Sequence, residues 1–144
     1  MHADAEEYAN LDYGRSRRTG VPEVVFCQGK LPAQVVEIMG RLYENEGRVL
    51  ATRASDEVAH AVTVAYPGAA WRPAARILTL GFTEPECQDD APYVAVITAG
   101  TTDIPVAEEA ALTLEFLGQC VRRAYDVGVA GIPRLFNRLD GVRG

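Results

Sequence analysis

Three polar residues in the second half of the chain have the types and the spacing of an anion-binding loop. They are Thr101, Thr102 and Asp103. They follow Gly100, which ends an apolar run, and Pro105 then fits the first turn of a helix, where its missing N–H group costs nothing. The N–H groups of such a loop and the positive end of the helix dipole attract phosphate or carboxylate groups. The alternative is a capped helix that binds no ligand.

A group of arginines near the amino terminus is a second candidate anion site. Arg15, Arg17 and Arg18 lie within four positions. Guanidinium groups bind phosphate or carboxylate through two parallel hydrogen bonds, which makes such a cluster a candidate ligand site. The alternative is a solvated basic loop.

The first half of the chain predicts a β-α-β unit. β-Branched and aromatic residues predict a short strand over residues 23–27. Apolar residues at helical spacing predict a helix from Pro32 to about Glu46, and residues 48–54 predict a second strand.

A further helix and a third strand extend this unit. Ser55 is predicted to cap the helix, because its hydroxyl can accept a hydrogen bond from an N–H group of the first turn. Trp71 falls in a turn-rich stretch, and residues 76–80 predict the third strand. We therefore assign residues 1–81 to a small amino-terminal α/β module.

A composition change marks the boundary of this module. Residues 82–92 contain two prolines, several acids and no apolar period, and we interpret them as a linker. The apolar run that follows, over residues 93–97, predicts a strand buried on both faces, as parallel strands are.

Residues 93–144 predict the beginning of a second, parallel-sheet domain. A helix from Pro105 to about Leu117 follows the candidate loop, and residues 122–127 predict another strand. The predicted buried face of the helix is formed by Ala107, Ala110, Leu114 and Leu117. Two strands and one or two helices cannot cover both faces of a parallel sheet, so we expect further chain or a partner to complete this domain.

Composition and charge exclude several classes of protein. The 144 residues are 48% hydrophobic and 24% charged, as in an ordinary globular protein. The formal net charge of −6 argues against a nucleic-acid partner, which would select a basic surface. No apolar run has the roughly 18 residues needed to span a membrane, and the acidic amino terminus has no signal-peptide pattern. We expect a cytoplasmic protein.

The cysteines and histidines give no sign of a metal centre. Cys27, Cys87 and Cys120 are odd in number, widely spaced and without a CxxC pair, so we expect neither a disulfide nor a zinc site. The histidines are His2 and His60, which cannot form a histidine cluster. We therefore predict no metal site.

Three segments, taken together, resemble the LarB family. Their sequences are DYGRSRRTGVPEVVFCQGK at residues 12–30, TAGTTDIPVAEEAA at residues 98–111 and YDVGVAGIPRL at residues 125–135. LarB is the pyridinium-3,5-biscarboxylic acid mononucleotide synthase of nickel-pincer cofactor biosynthesis. The resemblance implies an α/β protein in which the amino-terminal module precedes a domain similar to PurE, the aminoimidazole ribonucleotide carboxylase. Residues 93–144 would then be the first half of this flavodoxin-like or Rossmann-like parallel sheet.

The resemblance also implies a reaction and its ligands. LarB-like enzymes carboxylate the pyridinium ring of nicotinic acid adenine dinucleotide with CO2 or bicarbonate, and they hydrolyse its phosphoanhydride, which releases AMP. No tightly bound cofactor, nucleic acid or membrane is implied, and the family assembles as homo-octamers. The matching motifs imply that the phosphate and ribose of the substrate contact Thr101, Thr102, Asp103 and Arg134.

Two departures from the family bear on activity. Pro133 stands where the second loop of the family usually has a histidine, and proline can neither transfer a proton nor donate a hydrogen bond. No segment matches the one that carries the catalytic cysteine of the family, so we expect a truncated relative that is inactive alone, with its catalytic residues unassigned. The alternatives are a non-catalytic dinucleotide-binding or assembly module and a PurE-like carboxylase of purine biosynthesis. The RTGVPEVVF segment counts against the latter.

Overall fold

Strands and helices alternate along most of the chain, as the predicted α/β class requires. The structure is a computed structural model that describes residues 11, 12 and 14–128, and the chain divides into unit 1, Met1–Phe82, and unit 2, Thr83–Gly144. Unit 1 contains α1 (Arg15–Thr19), β1 (Val24–Phe26), α2 (Pro32–Glu46), β2 (Val49–Thr52), α3 (Asp56–Ala65), β3 (Ala70–Arg72) and β4 (Ile77–Leu80). Unit 2 contains β5 (Tyr93–Ile97), a short 3-10 helix (Thr101–Asp103), α4 (Ile104–Phe116) and β6 (Cys120–Ala124). None of the helices in the described residues is both long and apolar enough to cross a membrane.

The sheet of unit 1 has four strands in the order β1-β2-β4-β3. β1 and β2 run parallel with Phe26 opposite Thr52, and α2 connects them, which confirms the predicted β-α-β unit. β4 is antiparallel to β2, and β3 forms a hairpin with β4. The stretch around Trp71 does contain turns, at residues 67–68 and 73–76, but Trp71 itself lies between them in β3, opposite Leu78.

The core of unit 1 lies between its sheet and the helices α2 and α3. Val35, Met39 and Leu42 of α2 are fully buried, at the helical spacing seen in the sequence. Val58 and Val62 of α3 are buried in the same cluster. Each large apolar side chain of this kind stabilises the fold by roughly 1.5–3 kcal/mol on leaving water.

Local features end and begin these helices. Gly47 ends α2 in the left-handed conformation, with φ 71°, and the Ser55 hydroxyl accepts a hydrogen bond from the Val58 N–H group at the start of α3. Gly81, directly after β4, packs against the end of α2. A Cβ atom at Gly81 would lie 2.2 Å from the carbonyl oxygen of Gly47, so only glycine fits this close approach.

The sheet of unit 2 is a parallel pair, with β5 and β6 in register over five residues. α4 connects the strands and packs on them, and its buried residues are Ala107, Ala111, Leu112 and Phe116. The predicted buried face is therefore only partly right, since Ala107 is buried but Ala110 is exposed. α4 carries apolar residues around most of its circumference, so periodicity alone does not select the face that packs.

β5 is more exposed than a strand between two layers would be. Val94 is 37% exposed and Ile97 is 45% exposed. The prediction of a strand buried on both faces is thus wrong for the described residues. The described part of unit 2 supplies one long helix, α4, and a single helix covers one face of a sheet.

A disulfide bond joins Cys87 to Cys120, with the two Cα atoms 5.8 Å apart, and the expectation of no disulfide is wrong. Cys120 begins β6 opposite Tyr93, the first residue of β5, so the chain that leads into β5 passes close to it. Arg122 reinforces this attachment by stacking over the Tyr93 ring and donating a 3.1 Å hydrogen bond to the carbonyl of Asp89. The segment interpreted as a linker is therefore fastened to β6.

Loss of the disulfide is expected to destabilise unit 2 and to leave unit 1 unchanged. The bond joins positions 33 residues apart, and closing such a loop stabilises the folded state by roughly 3–4 kcal/mol in the chain-entropy description. In a Cys87→Ser, Cys120→Ser double variant, hydrogen exchange of the α4 and β6 amides should become faster by the factor that corresponds to a loss of roughly 3–4 kcal/mol. The fluorescence of Trp71, the single tryptophan, reports the unfolding of unit 1 as an internal control. Unchanged exchange in α4 would contradict the prediction.

Candidate functional site

The two parallel strands of unit 2 end at the same edge of their sheet. Ile97 lies opposite Ala124 at this edge, so the loops that follow β5 and β6 start side by side. The crevice beyond the carboxyl ends of parallel strands is where α/β proteins bind their ligands. The polar residues of the candidate loop follow β5 at this position.

A buried threonine joins the two loops. Thr98 is 6% exposed, and its Oγ1 accepts a 3.1 Å hydrogen bond from the N–H group of Asp126. Its carbonyl accepts a 3.0 Å bond from Val127, and the carbonyl of Ala99 accepts a 2.9 Å bond from Gly128. The chain after β6 is thus fixed against the chain after β5. The sequence pattern did not reveal this role, although a hydroxyl residue directly after an apolar strand is a signal for it.

The predicted ligand residues lie immediately after this junction. Thr101, Thr102 and Asp103 form one turn of 3-10 helix that leads into α4, and all three are exposed. Asp103 makes no side-chain capping hydrogen bond to α4. These hydroxyl and carboxylate groups are accessible to a ligand beside the positive end of the α4 dipole. Their binding role stays a prediction, and Arg134, the fourth predicted ligand, lies outside the described residues.

Asp126 brings a second carboxylate to this edge. Its φ of 54° lies in the left-handed region, which few residues other than glycine adopt and which aspartate tolerates better than most. Carboxylate oxygens accept hydrogen bonds and repel anions. Asp103 and Asp126 therefore suit the hydroxyl groups of a ribose, while the backbone N–H groups of the loop suit a phosphate.

An ion-pair network connects α4 to β6. Arg123 donates two hydrogen bonds to Glu115, of 2.6 and 2.8 Å, and one of 3.2 Å to Glu108. The hydrogen bonds to Glu115 are the main reason that the pKa of Arg123 is raised. Burial, followed by the neighbouring carboxylate of Glu108, raises the pKa of Tyr125 to about 12. Glu108 thus helps to hold β6 to α4.

The arginines near the amino terminus are engaged by carboxylates in two of three cases. Arg15 pairs with Glu23 at 3.5 Å, and Arg18 pairs with Asp12. Arg17 is exposed on the same short helix. An anion at this cluster would compete with the two ion pairs. The anion-binding role of these arginines stays a prediction.

The thiols are buried or bonded. Cys27 is 3% exposed, and burial raises its pKa to about 11, against the opposing effect of two nearby positive charges, Lys30 and Arg76. Cys87 and Cys120 form the disulfide. None of the three cysteines therefore offers a thiolate at neutral pH. Within the part of the chain that the structure describes, no group of three or more histidines, cysteines or acids is placed to hold a metal ion.

The fold and the site define an α/β protein with a candidate anion loop at the carboxyl ends of parallel strands. The family described as the LarB/PurE-like N-terminal domain matches residues 3–82, and the chain belongs to this family. The resemblance to LarB found in the sequence is thereby confirmed at the level of the family.

One curated relative extends the similarity along the chain. It is the uncharacterised protein MJ0165 of Methanocaldococcus jannaschii, which is 40% identical over 144 residues. The alignment covers 96% of this chain and 56% of the relative. The chain therefore spans about half the length of the relative that it matches.

Replacing Thr98 with valine should loosen the loop after β6. Valine keeps the shape of the side chain but cannot accept the hydrogen bond from Asp126, and an N–H group left without its partner costs roughly 1–3 kcal/mol. We expect the Asp126 amide to exchange with solvent about tenfold faster or more. The matched control is Thr113→Val, which removes a hydroxyl bonded to the Glu109 carbonyl within α4. Equal exchange at Asp126 in both variants would count against the role of Thr98.

Tyr125 should make the stability of unit 2 depend on pH in the alkaline range. Its pKa of about 12 in the folded state exceeds the ordinary value of 10.0, so the folded state holds this proton more tightly than the unfolded state does. The resulting stabilisation is fully present below pH 10 and is lost as the pH rises toward 12. We expect the free energy of unfolding to fall less steeply over this range in Tyr125→Phe than in the wild type. The control is Tyr43→Phe, which removes a tyrosine from unit 1, and identical behaviour of the two variants would contradict the assignment.

Proposed function

We propose that this chain is part of a LarB-type carboxylase and that unit 2 supplies binding groups for its substrate, nicotinic acid adenine dinucleotide. The observation that carries the proposal is the junction at Thr98, which fixes the loops after β5 and β6 against each other at the carboxyl ends of two parallel strands. Membership of the LarB/PurE-like N-terminal domain family supports it.

Each part of the loop suits a different part of the dinucleotide. The backbone N–H groups of Thr101 and Thr102 and the positive end of α4 suit the phosphates, to which both threonine hydroxyl groups can also donate hydrogen bonds. Asp103 suits a ribose, because a carboxylate accepts hydrogen bonds from sugar hydroxyl groups. Arg134 enters the proposal as a further phosphate ligand.

The complete reaction is proposed for the whole protein, since the chain covers 56% of its curated relative. In this proposal CO2 or bicarbonate is the second substrate, and the products are pyridinium-3,5-biscarboxylic acid mononucleotide and AMP. No tightly bound cofactor takes part. In this proposal the protein is cytoplasmic and assembles as a homo-oligomer, since members of the family form octamers.

A second candidate function is dinucleotide binding without turnover, and the state of the thiols favours it for this chain. Activation of a pyridinium ring by addition of a sulfur needs an accessible thiolate. Cys27 is buried with a raised pKa, and Cys87 is bonded to Cys120. This chain would then hold the dinucleotide and leave the bond-making steps to residues beyond those present here.

The binding proposal predicts that Asp103→Ala weakens the affinity for nicotinic acid adenine dinucleotide. Loss of one hydrogen bond to a charged group corresponds to about a tenfold increase in Kd or more, measured by isothermal titration calorimetry with the full chain. The matched control is Asp90→Ala, which removes an exposed aspartate before the amino end of β5 rather than after its carboxyl end. Thermal melts of both variants should resemble that of the wild type.

Two results separate the functions. If the wild type binds the dinucleotide and releases AMP in the presence of bicarbonate, the chain is catalytic by itself. Saturable binding without AMP release supports binding without turnover. An equal Kd for Asp103→Ala and wild type would remove the loop from the site.

A further inference from the structure

All four strands of unit 1 bring a basic residue to one edge of the sheet. The carboxyl ends of β1 and β2 coincide, and the antiparallel partner β4 starts, and β3 ends, at the same edge. The four residues, which we term the basic edge, are Lys30, Arg53, Arg72 and Arg76. They come from separate loops and strand ends, so only the folded sheet assembles them.

Arg76 is held in place by carbonyl groups. Its Nε donates a 3.0 Å hydrogen bond to the carbonyl of Ala54, and its Nη2 donates one of 3.3 Å to the carbonyl of Arg53. The N–H group of Ala54 in turn donates a 3.0 Å bond to the carbonyl of Arg76. Among the residues that the structure describes, the side chain of Arg76 therefore has carbonyl partners, which position the guanidinium but do not neutralise it.

Lys30 is positioned in the same way on the neighbouring loop. Its Nζ donates a 2.8 Å hydrogen bond to the carbonyl of Phe26 at the end of β1. One carbonyl leaves two of the three ammonium protons for another acceptor. This hydrogen bond to a neutral carbonyl fixes the position of the Lys30 side chain.

Lys30 and Arg76 both act on one buried sulfur, that of Cys27. Cys27, which directly follows β1, is within the electrostatic reach of both Lys30 and Arg76, and each charge lowers the pKa that burial raises. The Cys27 N–H group donates a 2.9 Å bond to the carbonyl of Thr52, so the loop after β1 lies against the end of β2. Lys30 and Arg76 are therefore held at the carboxyl ends of two neighbouring strands, β1 and β2.

The backbone at this edge is unusual. Arg53 has a φ of 56° and Arg76 a φ of 54°, in the left-handed region where glycine is the default residue. A residue other than glycine in this region costs free energy, and such conformations cluster at ligand sites. Arginine at both positions places two positive side chains where glycine would relieve the strain.

The acids that follow Arg53 most closely in the chain belong to a helix. Asp56 and Glu57 lie in the first turn of α3, where they interact favourably with the positive end of the helix dipole. The loops over residues 27–31 and 73–75 contain no acidic residue. The side-chain hydrogen bonds of Lys30 and Arg76 go to carbonyl groups, so these two residues bring positive charge to this edge of a chain whose net charge is −6.

We propose that the basic edge is a second anion site, which binds a small phosphate-bearing ligand of the pyrophosphate type. Preorganised Lys30 and Arg76 supply the charge-assisted hydrogen bonds, since their side chains are already fixed and little conformational entropy is lost on binding. This site lies within unit 1 and is independent of the loop proposed for the dinucleotide in unit 2.

Titration of the full chain with inorganic pyrophosphate, followed by NMR of the backbone amides, tests the proposal. We expect saturable shifts at Arg53, Ala54 and Arg76, and an affinity that falls as sodium chloride is added. Lys30→Gln and Arg76→Gln each remove a charge but keep a side-chain N–H donor for the carbonyl. Each should raise the Kd by about tenfold, because a hydrogen bond between charged partners contributes roughly that factor.

The matched control is Arg41→Gln, which removes one positive charge from α2, where Arg41 pairs with Glu37. Its Kd for pyrophosphate should stay within about twofold of that of the wild type, because the charge it removes is already paired. An equal loss of affinity in Arg41→Gln and Lys30→Gln would overturn the proposal, since it would show attraction by overall charge alone.

The binding of pyrophosphate also changes a spectroscopic property of Cys27. A bound anion offsets the charges of Lys30 and Arg76, which favour the thiolate, so the pKa of Cys27 should rise above about 11. The ultraviolet absorbance of the thiolate measures this shift, and Cys27 is the free cysteine of the chain. An unchanged pKa at saturating pyrophosphate would contradict binding at the basic edge.

The positions of the shifted backbone amides distinguish the two proposed anion sites. Shifts over residues 100–103 without shifts at Arg53 and Arg76 would overturn the basic edge and leave the proposed dinucleotide site intact. Conversely, Asp103→Ala should not alter the affinity measured at the Ala54 amide. The pyrophosphate titration therefore tests the basic edge even if the dinucleotide proposal fails.

Discussion

Parallel strand pairing is the constraint on which both proposed ligand sites depend. When parallel neighbours end together, the loops that leave them meet at one edge, however far apart they lie in the sequence. β1 and β2 end together in unit 1, and β5 and β6 do so in unit 2. Hydrogen bonds to the main chain then fix the neighbouring loops. Thr98 does this with its hydroxyl in unit 2, and Arg76 does it with its guanidinium in unit 1.

The two units are stabilised by different interactions. In unit 1, β2 is covered so completely that Val49, Leu50 and Ala51 have no exposed surface, and apolar burial supplies most of the stability. The described part of unit 2 has half-exposed residues on β5 and a smaller buried cluster. There the disulfide and the ion pairs of Arg123 hold the strands and α4 together. Partly buried ion pairs of this geometry fix the position of β6 against α4 but add little to the free energy of unfolding.

Local patterns made much of the fold predictable. α2 over Pro32–Glu46 follows from apolar spacing and a terminal glycine, and the Ser55 cap follows from the chemistry of its hydroxyl. Features that depend on contacts between distant segments could not be predicted. Cys87 and Cys120 become neighbours only when β5 pairs with β6, and the buried face of α4 is not selected by a helix that is apolar on several sides. The loop at Thr101–Asp103 could be predicted, because glycine, threonine and proline indicate a loop and a helix start without any contact to distant segments. The role of Thr98 could not, because its partner lies in another loop.

The Cys87–Cys120 bond also has a topological consequence. It closes a covalent ring that contains β5, the exposed turn at Thr101–Asp103 and α4. A protease that cuts this turn opens the ring but does not divide the molecule, because the sulfur atoms still join the two pieces. The strands on either side of the candidate loop would then stay tethered after cleavage, and only a reductant would release them. Covalent continuity of the strands that flank the candidate loop therefore does not require an intact peptide chain between them.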